Sequence, residues 1–216
     1  MRKLYSIDYY SNGDRTIAFI GVNHLNKPEY FARIAKDIDS LRRDGYLIFY
    51  EGIRTNMKVS PEQKTELQKK LRSITGFHLS SYKDSTNGDM KKFNVKGYVS
   101  QTMANTGIDT IRDVNADYNL KTLIEAYEAE KGEVKLSECD LKTPIGKKYR
   151  CKKVNQENYD FLSLTIRDRL VIKMIQESKA KKIAVLYGDL HKYSFERKLK
   201  AYDSTFNYFR VANPIR

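Results

Sequence analysis

Residues 16 to 50 read TIAFIGVNHLNKPEYFARIAKDIDSLRRDGYLIFY, and this stretch decides the fold. Thr16 to Ile20 is a short apolar run of strand type. Pro28 can open a helix, because its missing N–H falls among the donors that a first turn leaves unpaired. Phe31, Ile34, Ala35, Ile38 and Leu41 then recur at helical spacing, and Gly45 closes the run. Tyr46 to Tyr50 is continuously apolar, which suits a strand covered on both faces. The segment is predicted to be strand, helix, strand, a βαβ unit whose crossover length fits a parallel pair.

Further along, Ser60-Pro61-Glu62-Gln63 carries a capping serine, a proline at the first helical position and a glutamine at the capping-box position. This predicts a helix to about Ile74. Residues 84 to 97 are polar and glycine-bearing and read as a loop or flap. Val95 to Thr102 is a short strand candidate. Asn119 to Glu130 is helical by spacing, with Leu120, Leu123, Ile124 and Tyr127 on one face. The stretch from 133 to about 155 is polar and reads as an excursion from the core. Gln156 to Lys179 is expected to form one long helix, feeding a last core strand at Ile183 to Tyr187. Ser194 to Arg197 can start a short helix, and Phe206 to Val211 alternates like an edge strand. The whole chain, residues 1 to 216, is read as a single α/β domain. Its expected architecture is a mostly parallel central sheet flanked by helices, with the site at the carboxyl ends of the strands.

The bulk numbers agree with a globular protein. The 216 residues are 40% hydrophobic and 31% charged, enough for one well-buried core. No apolar run reaches the length of a membrane span, and the N-terminus lacks the apolar region of a signal peptide. A soluble, cytoplasmic protein is expected. Cys139 and Cys151 are the two cysteines; they do not make a disulfide framework, and a reducing compartment keeps them as thiols. The net charge of +13 favours polyanionic partners, although the cations are scattered, and their densest groups, Lys147 to Lys153 and Lys179 to Lys182, are short.

The chemistry sits just beyond the strands. The chain has three histidines, and two of them close the same phrase: Gly21-Val22-Asn23-His24 and Gly188-Asp189-Leu190-His191. Each phrase follows a short apolar run. The third predicted strand ends in Glu51-Gly52. In an open parallel sheet, ligands bind outside the carboxyl ends of the strands. If the three strands are neighbours, His24, Glu51 and His191 converge on one crevice. Two imidazoles and a carboxylate form a common ligand set for zinc, and they also suit manganese, iron or cobalt. Glu51 reads either as the third ligand or as the base that takes a proton from water. Asp189 can supply whichever role Glu51 leaves open. His78 follows a helix rather than a strand and is not placed in the site.

These residues resemble the TraB/TIKI family, which is grouped with ChaN-like and erythromycin-esterase-like proteins. The match rests on the two Gly-x-x-His phrases, on Tyr50-Glu51-Gly52 and on the Arg167-Asp168 pair in the helix before the second histidine. Leu25 and Pro28 also fit, and Gln101 and Asp117 match polar positions of some members. Asp189 departs from the small residue usual after the second glycine. The resemblance implies a metal-dependent hydrolase acting on a peptide or amide bond, with Arg167 holding Glu51 or stabilising developing charge. Two other readings are open. One is a non-catalytic protein that binds a peptide or haem on the same fold. The other is a basic phosphodiesterase that draws on Glu51, Asp117, Asp168 and Asp189 for two metals.

Overall fold

The computed structural model describes residues 5–55, 58–77 and 96–209. The chain divides into two compact units. The first takes in Met1–Gly52, Gly97–Asp117 and Asp168–Arg216, and the second takes in Ile53–Lys96 and Tyr118–Arg167. The excursion expected at 133 to 155 lies inside the second unit. In chain order the strands are β1 (Ile7–Ser11), β2 (Thr16–Val22), β3 (Leu25–Asn26), β4 (Leu47–Tyr50), β5 (Val99–Ser100), β6 (Val114–Asn115), β7 (Lys182–Gly188) and β8 (Asn207–Phe209). The α-helices are α1 (Pro28–Arg43), α2 (Pro61–Thr75), α3 (Leu120–Lys131), α4 (Glu138–Lys142), α5 (Gln156–Asp160), α6 (Arg167–Glu177) and α7 (Lys192–Tyr202).

The first unit is an α/β fold. Six strands form one sheet in the order β6-β4-β7-β2-β1-β8. The four from β6 to β2 are parallel, while β1 and β8 add an antiparallel edge. β2 and β4 run parallel, but they are not the direct neighbours that the βαβ reading expected, because β7 lies between them. The register sets Val22 opposite Gly188 and Tyr50 opposite Leu186, so β2 and β7 end level and β4 ends two residues short of them. β1 comes before the first strand that the apolar pattern marks.

Each face of the sheet is covered. Tyr30, Phe31, Ile34, Ile38 and Leu41 of α1 pack with Ala18, Ile20, Ile48, Ala184 and Leu186. On the other face, Val171, Ile172 and Ile175 of α6 and Phe195 and Leu199 of α7 pack with Ile17, Phe19, Phe49, Ile183 and Val185. Odd and even positions of β2 thus enter different cores. That two-sided burial explains why β2 and β7 are apolar throughout. β8 is an exposed edge strand. Arg210 and Val211, assigned to the same strand by sequence, lie outside the described residues, as do His78 and residues 84–95 of the expected flap.

The second unit has its own core, made by Leu71, Ile74, Leu120, Leu123, Ile124, Tyr127, Leu162 and Ile166. α2 opens with the expected capping box between Ser60 and Gln63, and Asn119 caps α3 through Thr122 N–H. The helix expected from Gln156 to Lys179 is not uniform: a π-helical segment, Phe161–Ile166, separates α5 from α6. Cys139 and Cys151 correct the sequence reading. They are joined in a disulfide, with Cα atoms 5.6 Å apart, so they no longer argue for a reducing compartment. The chain between them folds back on the buried guanidinium of Arg72, which donates to the carbonyl oxygens of Pro144, Asp140 and Thr143. That return brings the two sulfurs together. Among the described residues no helix is long and apolar enough to cross a membrane.

Candidate functional site

The three strand ends deliver their side chains to one place. Nε2 of His24 lies 3.7 Å from Oε2 of Glu51, and Nε2 of His191 lies 3.7 Å from Oε1. The carboxylate therefore faces one imidazole with each oxygen. Gly188 N–H donates to Glu51 Oε2 at 2.5 Å, and Glu51 N–H donates to the carbonyl of Leu186. Access comes from one side: the His24 side chain is 38% exposed, against 4% for His191 and 10% for Glu51.

Local structure fixes each ring. After His24, β3 pairs with β5. The pairing brings Gln101 alongside: its backbone N–H donates to the His24 carbonyl, and its side-chain oxygen accepts from His24 Nδ1 at 2.7 Å. Tyr30, buried on α1, accepts the backbone N–H of Asn23 and braces the same turn. His191 ends a short 3₁₀ turn, Asp189–His191, that runs straight into α7. Its Nδ1 donates to Asp168 Oδ1 at 2.6 Å, and the Tyr187 ring meets it edge-on. Asp168 is fully buried, and its Oδ2 has no hydrogen-bond partner among the described residues; Lys198 Nζ is 3.8 Å from that oxygen. Burial pushes the Lys198 ammonium below the ordinary lysine range, and Asp168 opposes the shift.

Both acceptors take the proton at Nδ1, so in the neutral ring the lone pair lies on Nε2, facing Glu51. Two lone pairs and a carboxylate at such spacing repel one another unless a proton or a cation sits among them. Gly188 marks the open space between them. A Cβ there would lie 2.9 Å from His24 Nε2, 3.3 Å from Glu51 Oε2 and 3.6 Å from His191 Cδ2. The donor set and this cradle fit a small cation. Even so, among the described residues no three His, Cys, Asp or Glu side chains are already closed into a metal cage.

The remaining expected residues make contacts of their own. Asp189 is exposed and turns its carboxylate onto Gly21 of β2, where glycine leaves room for it. Asp117 is buried and accepts the N–H of Gly52, while Asn115 donates to the Gly52 carbonyl. These two hold the turn that presents Glu51. Arg167 belongs to the second unit, where its guanidinium donates to the carbonyl of Ser163. Asp168 was legible as part of the Arg-Asp pair, but its hold on His191 was not. Lys198 and Asn115 carry no sequence signal of a site. A cavity of about 730 Å³ opens in the second unit beside Glu62, Lys69, Val134 and Leu141, and it contains none of the motif residues.

Comparison with family models, with curated proteins and with solved structures gives no significant match. The TraB/TIKI resemblance accordingly rests on the motif residues alone.

Proposed function

We propose that the protein is a metal-dependent hydrolase whose cation is held by His24, His191 and Glu51. The observation that carries this reading is the pair of ring orientations. Gln101 and Asp168 each occupy an Nδ1, so both Nε2 lone pairs point at one carboxylate. Imidazole ligands are oriented in this way by an outer partner on the second nitrogen. A divalent ion such as manganese, cobalt or zinc would lower the pKa of a bound water and polarise a carbonyl.

The chain's own groups divide the remaining work. The Gly188 N–H holds Glu51 Oε2 and keeps the carboxylate flat against the crevice. Asp168 keeps the His191 proton on Nδ1, and the Lys198 ammonium offsets the buried negative charge. The exposed side of His24 is the approach for substrate. The motif resemblance favours a peptide or amide bond as the target.

The test is metal content after purification without chelator, for wild type and for His24→Ala and His191→Ala. Roughly one equivalent in wild type and little in either variant is expected. Wild-type protein that stays empty after supply of manganese, cobalt and zinc rules the reading out. With metal bound, cleavage of a peptide library by wild type and its loss in Glu51→Gln distinguishes an enzyme from a binding protein. Replacing Gln101 by leucine is expected to weaken metal binding about 10-fold to 100-fold, read by calorimetric titration. His191 keeps its own support in that variant, so complete loss is not expected.

A further inference from the structure

A second feature lies in the other compact unit and does not depend on the metal reading. Residues 147 to 153 read Lys-Lys-Tyr-Arg-Cys-Lys-Lys, five cations in seven residues with no acid. The five cationic side chains are exposed. Lys147, Arg150, Lys152 and Lys153 make no ion pair with a described residue. Elsewhere several surface lysines of helices are paired one turn away, as in Lys121–Glu125, Lys142–Glu138, Lys173–Glu177 and Lys200–Glu196. The acid within the loop, Asp140, is buried and already accepts from Ser137 and Tyr149.

The loop is also held in shape. The Cys139–Cys151 disulfide closes it, and Arg72 binds three of its carbonyl oxygens from beneath. Ordering these cations on binding therefore costs less backbone entropy than it would in a free tail.

We propose that this closed loop is a docking surface for the phosphate backbone of nucleic acid. A dense row of exposed cations, with Lys147, Arg150, Lys152 and Lys153 in no ion pair with a described residue, suits a partner with closely spaced phosphates, where counterion release drives association. The two side chains between the cations argue against insertion into a lipid surface. A membrane-docking segment turns apolar groups outward among its cations. Here Cys151 is in the disulfide, and Tyr149 is turned in, with its hydroxyl on Asp140 and its ring beside Arg72. With Tyr149 occupied, the loop offers no ring for stacking on bases, so recognition is of the backbone, independent of sequence.

The experiment measures binding of a labelled 20-base-pair duplex by fluorescence anisotropy over a salt series. It compares wild type, a loop variant (K147Q/R150Q/K153Q) and an equally charged control (K121Q/K173Q/K200Q). For wild type and control the expected log–log salt slopes are similar. For the loop variant the slope falls by about 2 to 3, at about 0.9 per lost phosphate contact, and two unrelated duplex sequences bind alike. Equal weakening in loop and control variants overturns the proposal, because net charge alone then explains the binding. Tighter binding to phosphatidylserine vesicles than to the duplex overturns it in favour of a membrane.

Discussion

Replacing Gly188 by alanine is expected to reduce divalent-cation binding by about 100-fold or more, at or beyond the top of the range for losing a ligand's outer support. The added methyl would occupy the space between the three groups, 2.9 Å from His24 Nε2. Two of the atoms it meets, Glu51 Oε2 and His24 Nε2, are held from behind, by Gly188 N–H and by Gln101 through the other ring nitrogen. They cannot give way without loss of those bonds. The backbone of Gly188, at φ −54° and ψ 139°, is open to any L-residue. The variant should therefore fold, and circular dichroism should match wild type while calorimetry shows little binding. Gly21→Ala is the contrast: its methyl would press on the exposed Asp189 side chain, not on the crevice. A folded Gly188→Ala protein that binds metal as wild type does would place the cation away from these residues.

The second large effect concerns Arg72. Its guanidinium is buried beneath the closed loop and donates to three carbonyl oxygens, and it stacks at 5.2 Å on Tyr149. Burial lowers its pKa from the usual arginine range, and the Asp140 charge opposes that change; an arginine so shifted still carries its proton at neutral pH. Arg72→Ala leaves the carbonyls of Asp140, Thr143 and Pro144 without their donor. Each such loss costs about 1–3 kcal/mol when the acceptor stays buried. Because two of the three bonds are only part-buried and water can replace the donor there, a destabilisation of about 3–5 kcal/mol is expected for the second unit. Urea unfolding followed by tyrosine fluorescence and circular dichroism measures it, and amide exchange in residues 139 to 151 localises it. Arg72→Lys should recover little, because one ammonium cannot reach three carbonyls in a fixed fork. A loss below about 1 kcal/mol would mean that water replaces the guanidinium.

The sheet could be read from sequence where burial is two-sided and uninterrupted. β2, β4 and β7 are apolar runs for that reason, and glycine and histidine after them mark where the chain turns at the open end of the sheet. β1 was hidden because its buried Asp8 breaks the apolar pattern. That aspartate is satisfied by Ser6, Lys192 and Tyr208, which lie far apart in sequence. His24 and His191 were legible because each closes a repeated phrase, and Glu51 because it ends an apolar run. Their supports were less so: Gln101 stood out through the resemblance alone, since it follows a two-residue strand with no periodicity, and Lys198 looks like any helix lysine. The disulfide was missed because spacing alone does not reveal a chain that folds back over an arginine. The π-helical segment was missed because apolar spacing along Gln156–Glu177 carries no mark of a wider turn.

The place of β7 in the sheet has a consequence for how the molecule comes to be. β2 and β4 are synthesised early and leave a vacancy one strand wide between them, which is filled by a segment about 130 residues later in the sequence. Until that strand is threaded in, both early strands show unpaired edges, and such edges invite pairing with other chains. Closure over so long a separation is slow relative to local helix formation. The crevice is thus a late product of folding: Gly188 and His191 arrive with the strand that completes the sheet, so a chain able to bind at this position has already finished assembling its core.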